Sequence, residues 1–210
     1  MQPMRVTAQL AQLSNRFALS RGGEASVRTE FGTFTMAAYR DAEGLEHLAV
    51  MKGDVRGTGV LCRVHSECLT GEVFHSRRCE CGPQLHLALR RIEEVGRGVV
   101  IYLRQEGRGI GLLNKLRAYA LQDKGADTLE ANVALGFAPD LRRYDVAAAI
   151  LRDLGTQSVV LMSNNPDKVL GLQEAGIVVE RREPHQIGVH EDNERYMETK
   201  RLRMGHLLGD

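Results

Sequence analysis

The sequence predicts an α/β fold: a mixed sheet flanked by helices, with an N-terminal β-hairpin region. Apolar residues alternate with polar ones over Phe34–Ala38 and again over Gly59–His65, which is the period of a β-strand. Beyond Gly82, strand-like and helix-like segments alternate along the chain. This alternation is typical of a layered α/β domain.

The N-terminal part contains a hairpin signal. Residues 1–24 show no firm pattern beyond a possible short helix at Thr7–Leu13. The turn residues Asp41–Gly44 separate the alternating segment at Phe34–Ala38 from a second one at Leu45–Met51. Two strands joined by such a turn are expected to pair as a hairpin.

Helix start and stop residues mark the rest of the chain. Helices are expected at Pro83–Gly96, Ile110–Lys124, Asp145–Leu154 and Pro166–Gly176, with a basic helix at Asn193–Leu208. Strands are expected at Val99–Leu103, Ser158–Met162 and Ile177–Glu180. No linker marks a boundary, so we expect one structural domain overall.

Composition excludes several classes of protein. The 210 residues include 28 Lys and Arg against 27 Asp and Glu, and a net charge of +1 argues against a general nucleic-acid coat. No apolar run approaches the ~18 residues of a membrane helix, and the N-terminus lacks a secretory core. Four cysteines are too few for a disulfide scaffold. We therefore expect a cytoplasmic protein with no nucleic-acid or membrane partner.

The strongest chemical signal is the group Cys68, Cys79 and Cys81. Thiolates are good zinc ligands, and three of them leave the open position of a catalytic site. His65 and His75 are possible fourth ligands. The alternative is three ordinary thiols, although short cysteine clusters in reduced proteins more often bind metal. The fourth cysteine, Cys62, alternates with valines in a strand and is expected in the core.

Two strand-to-helix turns are candidate anion sites. Backbone N–H groups at Arg104–Gly111 and at Ser163–Lys168 precede helices, where phosphates are commonly held. The alternatives are a glycine-rich turn with solvated arginines and an ordinary helix N-cap. Arg63–Glu67 and Asp140–Tyr144 also carry polar residues, which favour a solvated strand face and a solvated loop. Zinc beside a polyphosphate pocket suggests hydrolysis of a nucleotide base or a similar phosphorylated heterocycle.

Five motifs together resemble GTP cyclohydrolase II, the enzyme that commits GTP to riboflavin synthesis. They are RVHSECLTGEVF (63–74), RCECGPQL (78–85), RQEGRGIGLLNKLRAYALQDKGADTLEAN (104–132), LGF (135–137) and SNNPDK (163–168). The resemblance runs from about Lys52 to Leu208. On this basis we divide the chain into an N-terminal arm and hairpin, residues 1–51, and a catalytic domain, residues 52–210. We expect no dihydroxybutanone-phosphate synthase domain within these residues.

The resemblance implies a role for each matching residue. Cys68, Cys79 and Cys81 would hold one zinc ion per chain. Asp140 would be a general acid/base, Arg142 a nucleophile toward the α-phosphate, and Tyr119 a neighbour of the guanine ring. The GTP-binding residues would be Arg63, Val64, His65, Ser66, Glu67, Gln84, Glu106, Gly107, Arg108, Thr128, Ser163 and Lys168. Ser163 departs from the threonine that is frequent in the family, but it keeps a hydroxyl.

The resemblance also implies a reaction and its partners. Magnesium would accompany the triphosphate, the products would be formate, pyrophosphate and 2,5-diamino-6-ribosylamino-4(3H)-pyrimidinone 5′-phosphate, and the enzyme would be a homodimer. Arginine is normally protonated, so Arg142 is at least as plausible as a phosphate clamp. Two alternatives stay open: a paralogue that opens a purine ring without completing the reaction, and a non-catalytic zinc or nucleotide-binding module with a fourth protein ligand on zinc.

Overall fold

A computed structural model describes residues 19–125, 127–138 and 140–187. These ranges form one seven-stranded mixed sheet with helices packed against it, as the sequence predicts. The helices expected at Thr7–Leu13 and Asn193–Leu208 lie outside the described residues. Within the described ranges, no helix has the length and apolar character needed to cross a bilayer.

The sheet has the spatial order β1-β2-β3-β5-β4-β6-β7. Its strands are β1 (Ser20–Thr29), β2 (Gly32–Arg40), β3 (Glu46–Lys52), β4 (Val60–Ser66), β5 (Gly98–Leu103), β6 (Ser158–Met162) and β7 (Val178–Glu183). From β1 to β5 neighbouring strands pair antiparallel, and from β5 to β7 they pair parallel. The strand β5 therefore joins an antiparallel half to a parallel half.

The helices of the described ranges are numbered in chain order. They are α1 (Leu69–Glu72), α2 (Cys81–Val95), α3 (Gly111–Gln122), α4 (Thr128–Ala134), α5 (Asp145–Asp153) and α6 (Pro166–Glu174), and a 3-10 turn lies at Glu106–Gly109. Gly96 ends α2 in the left-handed conformation with φ of 73°, which glycine adopts without steric cost. The short helices α1 and α4 carry no periodic apolar pattern, so the sequence did not predict them.

The predicted hairpin is confirmed as the pair β2–β3, and Asp41 closes its turn by accepting the Leu45 N–H at 2.8 Å. The edge strand β1 was not predicted. Its residues are largely polar and exposed, and the register shifts between Arg21 and Glu24, so no strand period is visible in the sequence. Since β3 pairs with β5, described parts of residues 1–51 and 52–210 share one sheet. The proposed boundary at 51/52 stays a prediction.

Apolar side chains fill both faces of the sheet. Cys62, Ile101 and Leu151 belong to a core on the side of α5 and α6, whereas Val100 and Ile92 belong to a second core on the side of α2. Full burial of a side chain such as Ile92 stabilises the fold by about 2–3 kcal/mol. The expected core position of Cys62 is confirmed, since it has no exposed surface.

Polar residues gather where β4, β5 and β6 end. These three parallel neighbours point their carboxyl ends to the same edge of the sheet, where α/β proteins commonly bind ligands. Cys68 follows β4, Glu106 follows β5, and Ser163 follows β6. The fold thereby brings together segments that are separated by up to about a hundred residues of sequence.

Candidate functional site

The three cysteines of the predicted zinc group lie together. The Sγ atoms of Cys68, Cys79 and Cys81 are all within 4.8 Å of one another, and those of Cys68 and Cys79 are 3.6 Å apart. Zn–S bonds of about 2.3 Å at tetrahedral angles separate two thiolates by about 3.8 Å. The thiol spacing therefore fits zinc. Among the described His, Cys, Asp and Glu side chains, neither His65 nor His75 joins this group.

Two glycines leave the cysteines room to converge. A Cβ atom on Gly71 would lie 2.7 Å from Cys79 Sγ and 3.2 Å from Cys68 Sγ. A Cβ on Gly82 would lie 2.4 Å from the Gly71 carbonyl oxygen. Any larger residue at either position must push the α1 and α2 segments apart. The space around the thiols is thus fixed by the backbone.

The thiols differ in their protonation behaviour. Hydrogen bonds from Cys79 and Cys81, together with the nearby Lys115 ammonium, lower the pKa of Cys68. The same thiol network, with Cys68 as the largest influence, raises the pKa values of Cys79 and Cys81. By contrast, burial alone raises the pKa of Cys62 to about 12. Cys62 is therefore an inert core thiol.

A buried ion pair borders the cluster. Lys115 Nζ on α3 donates to Cys68 Sγ at 3.1 Å and to Glu106 Oε1 at 2.8 Å. Burial lowers the pKa of Lys115, but the Glu106 hydrogen bond and the Cys68 charge more than offset it and raise the pKa above its usual range. Sequence reasoning missed Lys115, because it lies inside a helical stretch with no spacing signal.

A second buried carboxylate holds the backbone of Cys68. Glu72 Oε1 accepts the Cys68 N–H and bonds His65 Nε2, both at 2.8 Å, while Glu72 Oε2 accepts the Tyr102 hydroxyl at 2.6 Å. Burial lowers the pKa of His65 to about 4. The alternative to GTP binding, in the sequence analysis, was that His65 lies on a solvated strand face. That alternative is wrong, because α1 and α2 cover this face and only 2% of His65 is exposed.

The glycine-rich loop forms a strained turn. Gly107 and Arg108 both adopt left-handed backbone angles, with φ of 61° and 62°. A non-glycine residue in this region costs about 1 kcal/mol, so Arg108 is held there by its surroundings. The Leu141 N–H donates to the Arg108 carbonyl at 3.0 Å, which ties the turn to the segment that carries Arg142.

A cavity of about 480 Å³ opens over the cysteines, a size typical of small-molecule sites. The predicted site residues that line it are Ser66, Glu67, Cys68, Cys79, Cys81, Glu106, Gly107, Arg108, Tyr119 and Arg142. Arg77, Arg78 and Lys115 add positive charge to its wall. The cavity therefore combines a cysteine cluster that could hold a metal with several cationic side chains.

The predicted acid/base and nucleophile are paired with each other. Asp140 Oδ1 accepts the Arg142 main-chain N–H at 2.9 Å, and Arg142 Nε lies 2.9 Å from both carboxylate oxygens. Burial raises the pKa of Asp140, but these hydrogen bonds and the Arg142 charge more than offset it and hold the pKa below its usual range. The carboxylate is consequently ionised, and it orients the Arg142 guanidinium at the cavity wall.

Two cationic side chains lie near the Tyr119 ring. The Arg78 guanidinium is 5.0 Å and Lys115 Nζ 5.7 Å from the centre of its ring, and its hydroxyl is 3.5 Å from Thr70 Oγ1. Arg78 is itself paired with Asp123. Burial raises the pKa of Tyr119 to about 12, so the hydroxyl is neutral and can donate a hydrogen bond.

Other predicted GTP-binding residues lie behind the cavity wall. Arg63 donates to the Met162 carbonyl at 2.8 Å and to Gln84 Oε1 at 2.7 Å, and Lys168 Nζ donates to the Val64 carbonyl at 2.7 Å. All of these residues are buried. They tie β4 to β6, α2 and α6, so the structure does not bring them to the cavity surface.

The remaining predicted residues occupy helix starts. Thr128 is the first residue of α4. Ser163 is buried beside the N-terminus of α6, where its Oγ accepts the Asn165 N–H at 3.1 Å. Asn165 accepts the Asp167 N–H at 3.0 Å as the N-cap of α6. The N-cap interpretation of this turn is thus confirmed for Asn165.

Comparison with known proteins decides the family. Residues 20–184 match the family model described as GTP cyclohydrolase II. The chain belongs to the GTP cyclohydrolase II family. The resemblance expected from the motifs is confirmed, and the GTP cyclohydrolase II match begins at residue 20, so it also includes the hairpin that the motifs left unmatched.

Two curated relatives illustrate the similarity to GTP cyclohydrolase II proteins. Riboflavin biosynthesis protein RibBA of Bacillus velezensis is 55% identical over 193 residues, which cover 90% of this chain and 48% of the relative. RibBA of Bacillus subtilis is 53% identical with the same coverage. The chain thus spans about half the length of the curated relatives it matches. A crystal structure of RibBX, a two-domain 3,4-dihydroxy-2-butanone 4-phosphate synthase from A. baumannii, gives a TM-score of 0.42 at 21% identity, covering 84% of this chain and 44% of that one.

Proposed function

We propose that this chain is a zinc-dependent GTP cyclohydrolase II of riboflavin biosynthesis. It hydrolyses GTP to formate, pyrophosphate and 2,5-diamino-6-ribosylamino-4(3H)-pyrimidinone 5′-phosphate. The observation that carries the proposal is the convergence of Cys68, Cys79 and Cys81 at the wall of a cavity that Arg108 and Arg142 also line. Family membership supports the choice of GTP as the substrate.

The cysteine group supports an open metal site. The three thiols would hold zinc, which supplies Lewis acidity and activation of water near neutral pH when it is bound. The described part of the chain adds no fourth His, Cys, Asp or Glu ligand to the group, which speaks against a closed structural site. A purely structural zinc module is therefore the weaker interpretation.

The chain's own side chains bind and orient the nucleotide. The guanidinium groups of Arg108 and Arg142 match phosphate oxygens in a bidentate manner. Asp140 accepts two hydrogen bonds from Arg142 Nε and so orients its guanidinium. Tyr119 presents a neutral hydroxyl and a ring face to a planar base. In this proposal the base lies near the thiols and the phosphates lie near the two arginines.

Three further parts of the proposal concern its setting. Magnesium accompanies the triphosphate, and the active form is a homodimer; both rest on the family resemblance. Catalysis takes place in the cytoplasm. All four cysteines are free thiols, which agrees with a reducing compartment.

The deciding experiment incubates purified, zinc-loaded protein with GTP and magnesium and assays formate and pyrophosphate. We expect both products from GTP and neither from ATP, because a site built for guanine leaves polar groups unpaired with adenine. Equal rates on GTP and ATP would exclude the specific form of the proposal. Formate without pyrophosphate would instead identify a paralogue that stops at ring opening.

A further inference from the structure

A lysine ammonium is buried beside the cysteine cluster. Lys115 is only 7% exposed, and its Nζ donates to Cys68 Sγ at 3.1 Å. Burying a lone ammonium is costly unless charged or polar partners surround it. The family resemblance gives Lys115 no role, although its side chain lies at the cavity wall. Its position therefore calls for an explanation within the site.

Glu106 completes the arrangement. One of its carboxylate oxygens accepts from Lys115 Nζ at 2.8 Å, and the other accepts the Leu69 N–H at 2.7 Å. The ion pair consequently holds the residue after Cys68 by its backbone and Cys68 itself by its sulfur. The glycine at 107 also packs closely against this lysine, since a Cβ there would lie 3.0 Å from Lys115 Cβ.

Three thiolates carry one negative charge more than a divalent ion neutralises. In a buried site this surplus is unfavourable, and a cation in contact with one thiolate offsets it. Lys115 supplies such a cation, because its Nζ donates a hydrogen bond to Cys68 Sγ. Mutation of a residue that hydrogen-bonds to a metal ligand typically lowers metal affinity about 10- to 100-fold.

We propose that Lys115 is a positioning residue of the metal site: it fixes Cys68 Sγ toward Cys79 and Cys81 and offsets the surplus thiolate charge. This role rests on the proposed zinc site. Glu106 acts through Lys115 by holding the ammonium in place, in addition to any contact it makes with GTP. Neither residue is required to touch the reacting atoms.

Zinc affinity provides the test, measured by competition with a chromophoric chelator on the full chain. We expect Lys115→Met to weaken zinc binding at least about tenfold, and Lys115→Arg to regain part of the loss because the positive charge remains. Lys168→Met is the matched control. It also removes a buried ammonium, but one that bonds the Val64 carbonyl, so its zinc affinity should equal that of wild type.

The double variant Lys115→Met/Glu106→Gln guards against simple misfolding, because it leaves no unpaired buried carboxylate. If Lys115 positions Cys68, the double variant folds and still binds zinc weakly. Cobalt substitution gives a second readout. The thiolate-to-cobalt absorption per bound ion should fall by about one third when one of three thiolates leaves the metal.

Two outcomes overturn the proposal in distinguishable ways. If wild type binds zinc and Lys115→Met binds it equally well with unchanged cobalt absorption, Lys115 has no positioning role and the proposed function stands. If wild type binds no zinc, both the positioning role and the proposed zinc chemistry are overturned.

Discussion

Arg142 and Asp140 form a forked ion pair within one loop, with Arg142 Nε 2.9 Å from both carboxylate oxygens. Only 12% of the Arg142 side chain is exposed. The carboxylate stabilises the protonated guanidinium, whereas a nucleophilic nitrogen must first lose a proton. This geometry favours a phosphate clamp.

The first prediction concerns Arg142. Arg142→Ala should lower pyrophosphate release about 10³-fold, because one preorganised charge on the phosphate is lost. Arg142→Lys should recover about tenfold of that loss, since lysine keeps the charge but not the planar fork. Pyrophosphate release is followed under single-turnover conditions. An inactive Arg142→Lys variant, with a guanylylated peptide trapped from wild type, would establish covalent catalysis instead.

The second prediction separates the cluster thiols from the core thiol. Wild type should bind about one zinc per chain, and Cys79→Ser should lose both the zinc and formate release. Cys62→Ser should keep both, because Cys62 is buried on β4 away from the cluster. Zinc is measured by atomic absorption after gel filtration. Loss of metal from Cys62→Ser alone would show that the ligand set is wrong.

The third prediction concerns Gly71. The added methyl group of Gly71→Ala would lie 2.7 Å from Cys79 Sγ. Overpacking of this kind costs about 1–3 kcal/mol, so zinc affinity should fall about 10- to 100-fold in chelator competition. Gly23→Ala is the matched control, because nothing lies within 4 Å of its added Cβ. Equal zinc affinity in the two variants would contradict the tight fit.

The fourth prediction concerns stability against pH. Burial lowers the pKa of His185 to about 3, and its Nε2 lies 2.8 Å from the Gln84 carbonyl oxygen. The unfolded chain binds a proton near pH 6.5, so stability is complete above that pH and falls as the pH drops toward 3. When the pH is lowered from 7.5 to 5.5, the free energy of unfolding should fall by about 1 kcal/mol because of His185.

Urea unfolding at the two pH values measures this effect. His185→Gln should lose about 1 kcal/mol of the pH dependence, while the exposed His75, replaced in His75→Asn, should leave it unchanged. A full wild-type pH dependence in His185→Gln would mean that another group is responsible.

The sequence predicted those parts of the fold whose pattern is local. Strand β6 was predicted with its observed ends, because it is a continuous apolar run bounded by polar residues. Strand β1 was missed, because its residues are exposed and show no strand pattern of their own. It is a strand because it pairs with β2. Tertiary pairing overrides weak strand propensity in such cases.

The site divides in the same way. Cys68, Cys79 and Cys81 were found because their spacing is itself a signal. Lys115 was missed as a neighbour of Cys68, because it lies 47 residues further along the chain and meets Cys68 only in the folded protein. Glu72 was missed because the short helix α1, which places it four residues after Cys68, was not predicted. Arg63 and Lys168 were assigned to GTP by resemblance. No spacing in the sequence reveals that both side chains donate hydrogen bonds to main-chain carbonyls of buried strands.

The distribution of the site along the chain has a consequence for folding kinetics. Cys68 and Cys79 are 11 residues apart, so joining them requires closure of a short loop at small entropic cost. Lys115 reaches Cys68 from 47 residues away, and Lys168 reaches Val64 from 104. Contacts of such long range are slow to form. During synthesis of the chain, the proposed zinc ion would therefore bind the cysteine segment before the cavity exists. The cavity would then become ordered around a metal centre already in place.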